Sequence, residues 1–287
     1  RDATGTWRLN GWWFCYDDGT FPHDEWVYLT WNGRSDWYYF DVDGWMEDGW
    51  LYRNNNWYYL HTQYDNTRGR MYTGWHEIDG KWYYFAQKDG EVEGYKQYER
   101  VSGWIKSTPM LDPDPLKDYF PCYLQADGTL KTGWIRFTYR DDDGEDWKYL
   151  DPATLYYHTG WFKENGNWYY FNTFGSRMHR GWICDNGKWY YSGEDGSLVK
   201  NGWVDTVYSG RLLIGNWTGP HYFRKDCSMA TGWEKIGEDW YYFKADGSVY
   251  NGWLLNGGKW YYLKDGVMQV NTTIDGYQIG SDGVRIR

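Results

Sequence analysis

The chain of 287 residues carries 24 Trp, 31 Tyr and 11 Phe, making it 23% aromatic, with 36 Gly and a net charge of −10. Its mean hydropathy of −0.90 would by itself suggest disorder, but that scale counts indole and phenol as nearly polar although such rings bury about 150–250 Å² each, so disorder is rejected. The charge disfavours a polyanionic partner such as nucleic acid, and no apolar run approaches the roughly 20 residues of a membrane helix.

Leu, Ile and Val are too sparse and scattered for one aliphatic core of matching size, so the core is expected to be aromatic and distributed. Cys15, Cys122, Cys184 and Cys227 lie far apart without Cys-x-x-Cys or zinc-type His spacing; neither a metal site nor a disulfide framework follows. No charged, apolar leader opens the chain, and Arg1 without a preceding Met reads as a processed start.

Self-similarity decides the fold class. In chain order, Gly-Trp recurs at Trp12, Trp50, Trp75, Trp104, Trp134, Trp161, Trp182, Trp203, Trp233 and Trp253, with an off-phase copy at Trp45. Trp-Tyr-Tyr follows at Trp37, Trp57, Trp82, Trp168, Trp189, Trp240 and Trp260, usually seven or eight residues after a Gly-Trp, and an Asp-Gly pair commonly comes next. Trp161, Trp182 and Trp203 step by 21 residues. Such a unit has room for two strands of about five residues with short connections. Asn165-Gly166 between two aromatic runs signals the hairpin turn, and Gly187-Lys188 and Gly257-Gly258 hold the same place.

A lone hairpin is marginal in water, so each unit must stack on its neighbours. The predicted fold is all-β: a β-hairpin solenoid of tandem aromatic repeats of about 20 residues, with insert loops, forming one repeat domain over residues 1–287. It comprises about ten units: irregular ones over 1–48, units with long inserts over 49–158, more regular ones over 159–270 and a cap over 271–287. Inserts are expected at residues 109–115, with three prolines, and at 206–219. Three units lose the signature, at Cys122-Tyr123, at Trp147-Lys148 and at His221-Tyr222, and are expected to bind nothing.

Thr231-Gly232-Trp233, then Trp240-Tyr241-Tyr242-Phe243 and Asp246-Gly247, resembles the cell-wall-binding repeat, as do Asn251-Gly252-Trp253 and the residues after it. That family includes choline-binding modules of Gram-positive surface proteins and phage lysins, with glucan-binding and clostridial-toxin repeats as relatives. The resemblance implies cages between consecutive hairpins, built from two Trp of one unit and a Tyr plus a Met or Leu of the next. Carried over by position, Trp50 and Trp57 would meet Met71 and Tyr83, and Trp161 and Trp168 would meet Met178 and Tyr190. Trp233 and Trp240 would meet Val249 and Tyr261; Trp203, Met229 and Tyr241 would form another set. Trp75 with Trp82, Trp182 with Trp189, and Trp253 with Trp260 complete the candidates. Strand alternation separates the two Tyr of each Trp-Tyr-Tyr, and either one is a candidate wall.

A quaternary ammonium has no hydrogen-bond donor, so ring faces are what stabilise its charge, at about 0.5–2 kcal/mol each. Single sites would then be roughly millimolar, with retention coming from many boxes on a multiply displayed ligand. The expected function is a non-catalytic, secreted module that holds choline-bearing teichoic acid on the cell wall of a Gram-positive bacterium or its phage, without a cofactor. Binding of an α-glucan-like polysaccharide by ring stacking, favoured by the polar inserts, and a self-associating stalk are the alternatives. The six His are expected to be incidental surface or packing residues, and the carboxylates Asp141, Asp142, Asp143, Glu145 and Asp146 a solvated loop in place of a calcium site or a hydrolytic pair.

Overall fold

The aromatic runs pair two by two. In the computed structural model, which describes residues 4–8, 12–31, 33–105, 121–138, 145–207 and 218–286, strand Gly49–Arg53 lies antiparallel to Asn56–Leu60, with Trp50 opposite Tyr59 and Tyr52 opposite Trp57. The same register recurs at Gly74–Ile78 with Lys81–Phe85, Gly160–Glu164 with Asn167–Phe171, and Gly181–Asp185 with Lys188–Ser192. It returns at Gly232–Ile236 with Asp239–Phe243 and Gly252–Asn256 with Lys259–Lys264. The described strands form ten two-stranded sheets and one five-stranded sheet, in which Val267–Met268 joins the last two of these hairpins. No helix occurs among the described residues, and the expected all-β hairpin repeat fold is the one observed.

Two-residue turns close the hairpins. Asn165 and Gly166 have φ of 50° and 79°, and Asn54 and Asn55 have 52° and 65°. Positive φ at both loop positions is the requirement of the type I′ turn, whose twist matches that of the strands, and Asn and Gly tolerate it best. In the 181–192 hairpin the loop is Asn186-Gly187, and Lys188 already belongs to the second strand.

Alternation then sorts the side chains. Leu51, Tyr58 and Leu60 are buried on one face of their hairpin, while Trp50, Trp57 and Tyr59 share the other. After most of the hairpins the chain returns through a single bridge, as at Leu60 with Met71, Phe85 with Arg100, Phe171 with Met178, Ser192 with Leu198 and Phe223 with Met229. The bridging residue also reaches back one hairpin. Arg100 N donates to Trp57 O, Leu130 N to Trp82 O and Leu198 N to Trp168 O, each at 2.8 Å. Met229 N donates to Trp189 O at 2.7 Å, and Arg285 N to Trp260 O at 2.8 Å. This joint ties the return segment of one hairpin to the hairpin before it.

The Asp-Gly step shapes the return. Asp195 Oδ1 accepts from Ser197 N at 2.9 Å, and Asp127, Asp226 and Asp246 repeat the arrangement with Thr129, Ser228 and Ser248. Gly196 has φ of 80° and lies against the thioether of Met178, where a Cβ would collide with the sulfur. Gly247 and Met229 repeat the contact.

The chain divides into two units, Arg1–Tyr157 and His158–Arg287. In the first, one core cluster gathers Tyr38, Phe40, Phe14 and Met46, as the aromatic expectation has it. Another is mainly aliphatic, with Val101, Ile105, Leu124, Ile135 and Leu150. Here the few aliphatic residues are concentrated at the inward positions of successive hairpins. In the second unit the fully buried large side chains include Phe171, Phe223 and Phe243. The four cysteines are free thiols. The predicted insert at 109–115, most of the one at 206–219, Gly11 of the first Gly-Trp, and Asp141, Asp142 and Asp143 lie outside the described residues.

Candidate functional site: aromatic boxes between hairpins

The tryptophan faces of successive hairpins overlap, so that the indoles of Trp50, Trp161, Trp182, Trp203, Trp233 and Trp253 each meet rings of two hairpins. Trp161 meets Trp168 of its own hairpin at 6.3 Å between centroids and Tyr190 of the next at 4.9 Å, both edge-on. Tyr170, opposite Trp161 in register, supports it from below at 5.0 Å. The first Tyr of the next Trp-Tyr-Tyr therefore faces the box, and the second supports its own indole. Asp185 Oδ2 accepts from Trp161 Nε1 at 3.0 Å and holds the ring. Trp168 is 38% exposed, so this side of the box opens to solvent.

The structure also brings together Trp50, Trp57 and Tyr83, with Trp50 6.0 Å from Trp57 and 4.8 Å from Tyr83. Trp233 lies 6.4 Å from Trp240 and 5.0 Å from Tyr261, with Asn256 Oδ1 accepting from its Nε1 at 3.3 Å. Trp253 lies 5.7 Å from Tyr277, which the sequence reading did not single out, and Asp275 accepts from its indole at 2.9 Å.

The fourth wall is placed differently from the sequence expectation. The joint described above brings the residue that follows the second hairpin, not the first. Leu198, and not Met178, reaches the Trp161 box, where it clusters with Trp161 and Tyr190. Arg100, and not Met71, reaches Trp57. For Trp233 and Trp240 the equivalent residue is Met268, bridged to Leu263 beside the Tyr241–Val267 pair, and not Val249. Met229 joins Trp182 and Trp189, while Trp203 and Tyr241, 5.3 Å apart, have Pro220 where a second Trp would stand.

Substituted units alter the third wall. Opposite the residue after the Gly-Trp, where Tyr83 and Tyr190 stand, the chain has Cys122, Lys148 and His221. Trp75 and Trp82 consequently pack on the cluster that contains Cys122 and Leu130. Burial pushes the Cys122 thiol up to about 12. Trp182 meets His221 at 5.1 Å and Trp189 at 6.1 Å. His221 is buried, its ring nitrogens 2.9 Å from Gly219 O and 3.2 Å from Asp246 O, and it packs on Trp182 in the place of the phenol. The other described His pack as expected: His158 and His179 contact Trp161 O and Trp182 O.

Some boxes already hold a cation of the chain. The Arg285 guanidinium carbon lies 4.4 Å from the Tyr277 centroid, 5.7 Å from Trp260 and 5.9 Å from Trp253. Arg100 lies 5.8 Å over Trp57 and donates to Asp127 O and Ala126 O. Arg68, paired with Asp48, lies 3.3 Å over Trp12 and 3.8 Å over Tyr64.

One box escaped the sequence reading. Trp26, Trp37, Tyr58 and Met71 line a cleft of about 490 Å³, with Trp26 5.2 Å from Tyr58. Trp26 follows Glu25 in place of Gly; the left-handed residue before this hairpin is Asp24, at φ 51°. A search for Gly-Trp passes over it, although Trp37-Tyr38-Tyr39 marks the hairpin. Residues 89–99 supply the far wall, including Glu99. Asn56 Nδ2 donates to Glu99 Oε1 and Lys96 N to Glu99 Oε2, both at 2.8 Å. Burial, and then the Glu99 charge, push the Tyr58 hydroxyl up to about 12. No cluster of His, Cys, Asp or Glu among the described residues could hold a metal ion.

Residues 158–203 and 230–272 match the choline-binding repeat, and residues 73–91 match the putative cell wall binding repeat. No curated protein matches the chain. Among solved structures, CbpJ from Streptococcus pneumoniae is 27% identical, over 91% of this chain and 100% of that one, with a TM-score of 0.47. Choline binding protein F from the same organism is 26% identical, over 91% and 99%, with a TM-score of 0.46. The choline-binding domain of its CbpL is 27% identical, over 75% and 98%, also at 0.46. On the hairpin framework and joints described above, the chain therefore carries choline-binding repeats over residues 158–203 and 230–272 and a putative cell wall binding repeat over residues 73–91.

Proposed function

We propose that the protein is a non-catalytic module that anchors at the surface of a Gram-positive cell wall by taking the choline groups of teichoic acid into its open aromatic boxes. The observation that carries this reading is the box of Trp161, Trp168, Tyr190 and Leu198: three ring faces and one aliphatic wall around a side open to solvent. Such a niche offers a trimethylammonium group charge stabilisation and apolar contact together, and asks for no hydrogen bond that the ligand cannot give. The choline-binding repeat match over the same residues supports it. The boxes at Trp182 with Trp189 and at Trp233 with Trp240 are the next candidates, with Met229 and Met268 as fourth walls.

Tryptophan fluorescence titrated with choline, with its uncharged isostere 3,3-dimethylbutanol and with maltodextrin tests the reading. Choline is expected to saturate the signal in the millimolar range and the isostere to fail. Saturation by maltodextrin with no response to choline would replace this reading with the polysaccharide one. The specific observation on the side of sugar recognition is the polar wall of the Trp26 cleft.

A further inference from the structure

The cleft at Trp26 differs from the other boxes in its lining. Its volume of about 490 Å³ falls within the range of sites that enclose whole small molecules, about 300–1,000 Å³, and exceeds what one trimethylammonium group fills. The extra space is bounded by residues 89–99, which lengthen this unit beyond the regular repeat.

That segment presents three features. Tyr98 packs against the cluster of Tyr58, Trp26 and Met71 while its backbone sits at φ 72°. Left-handed backbone is rare for an aromatic residue, and residues held this way cluster at binding sites. The hydrogen bond from Tyr98 N to Ala86 O at 2.7 Å and that from Gln97 N to Asp89 Oδ1 at 2.9 Å hold the strained turn in place. Second, Asn54 and Gln97 bring exposed amide side chains to the rim, each with donors and an acceptor suited to hydroxyl groups. Third, two carboxylates, Asp89 and Glu99, line the cleft against one basic residue, Lys96, and Glu99 is only 5% exposed and makes no ion pair among the described residues. The excess of carboxylate over ammonium in this lining favours a cationic occupant.

We propose that this cleft binds a saccharide unit bearing a cationic amine substituent, with the cation in the box of Trp26, Trp37, Tyr58 and Met71 beside Glu99, and the sugar ring against Tyr98 within reach of Asn54 and Gln97. The proposal rests on the reading that the boxes accept organic cations and adds a sugar-recognising half to one of them. Aromatic faces supply the stack, amides the hydroxyl contacts, and the carboxylate the charge.

The test uses the full chain labelled with 5-fluorotryptophan, so that Trp26 and Trp37 report separately from the other indoles by fluorine NMR, with assignments from Trp→Phe variants. The probes are choline, the trisaccharide of glucosamine below the pKa of its amines, and the neutral trisaccharide of N-acetylglucosamine. The Trp26 and Trp37 signals are expected to titrate with the glucosamine trimer at a concentration about tenfold lower than with choline or the neutral trimer. Glu99→Gln should abolish the preference for amine over N-acetyl, and Gln97→Ala, an exposed change, should weaken the trimer about threefold without altering choline. Equal affinity for both trimers, or for choline and the amine trimer, overturns the proposal. Choline failing to shift any tryptophan while the amine trimer still shifts Trp26 and Trp37 would sink the choline reading and leave this one standing.

Discussion

Arg285 shows how one side chain changes what a box can do. Its guanidinium lies within cation–π range of Trp253, Trp260 and Tyr277, the position a ligand cation would take. Arg285→Leu is therefore expected to add one bound choline per chain in equilibrium dialysis at saturating ligand, whereas Leu198→Arg should remove one from the Trp161 box. No change in stoichiometry for either variant would separate the guanidinium from ligand access. Gly196 makes the opposite point about space. Its φ of 80° and the Met178 sulfur beside it leave no room for a Cβ. Left-handed backbone alone costs an L-residue about 1–2 kcal/mol. Gly196→Ala is expected to lose at least that amount in urea unfolding, while Gly166→Ala, at a turn with open space around it, should lose less.

Among the elements, the hairpin is the part most open to reading from sequence. Gly-Trp, a two-residue turn and Trp-Tyr-Tyr place both strands and their register, because alternation leaves one pairing that buries Leu51, Tyr58 and Leu60 together. Asn55 holds φ of 65° at the second turn position, where Gly is preferred, so Asn55→Gly is expected to raise the melting temperature modestly, by about 0.5 kcal/mol of stability. What the sequence conceals is the joint between hairpins. Local spacing places Met71 after Trp50 and Trp57, but the hydrogen bond from a return segment skips back a hairpin, and Met71 faces the Trp26 cleft instead. No short-range periodicity carries that offset. Trp26 was hidden for a different reason, since the left-handed position moved one residue upstream to Asp24 and the Gly disappeared. Cys122, Lys148 and His221 were visible as broken signatures, and the structure shows that each replaces the same phenol.

For the whole molecule, stability is expected to depend on acid and on ligand. His61 packs on Tyr72 at 4.1 Å, and burial, followed by the nearby His76, pulls its pKa from 6.5 to about 4; burial lowers His76 as well. Between those limits the unfolded chain binds a proton that the folded chain refuses, so stability should fall as pH drops from about 6.5 to about 4. His61→Gln is expected to flatten that part of the stability profile measured by urea unfolding. Asp127, held below the usual carboxylate range by its hydrogen bonds from Thr129, extends the loss to still lower pH as it becomes protonated. Choline should raise the melting temperature, since each occupied box stabilises the folded chain by RT ln(1 + [L]/Kd), about 2.7 kcal/mol at a hundredfold excess over Kd.

Units tied back to their predecessors in this way are laid like roof tiles, each pinning the lower edge of its neighbour. Lifting one tile lets in the weather underneath the course beside it. A cut after residue 171 would leave Trp161 and Trp168 in place yet strip them of Tyr190 and Leu198, so the damage appears one course away from the saw. Anyone trimming or grafting such an array has to count in overlapping pairs.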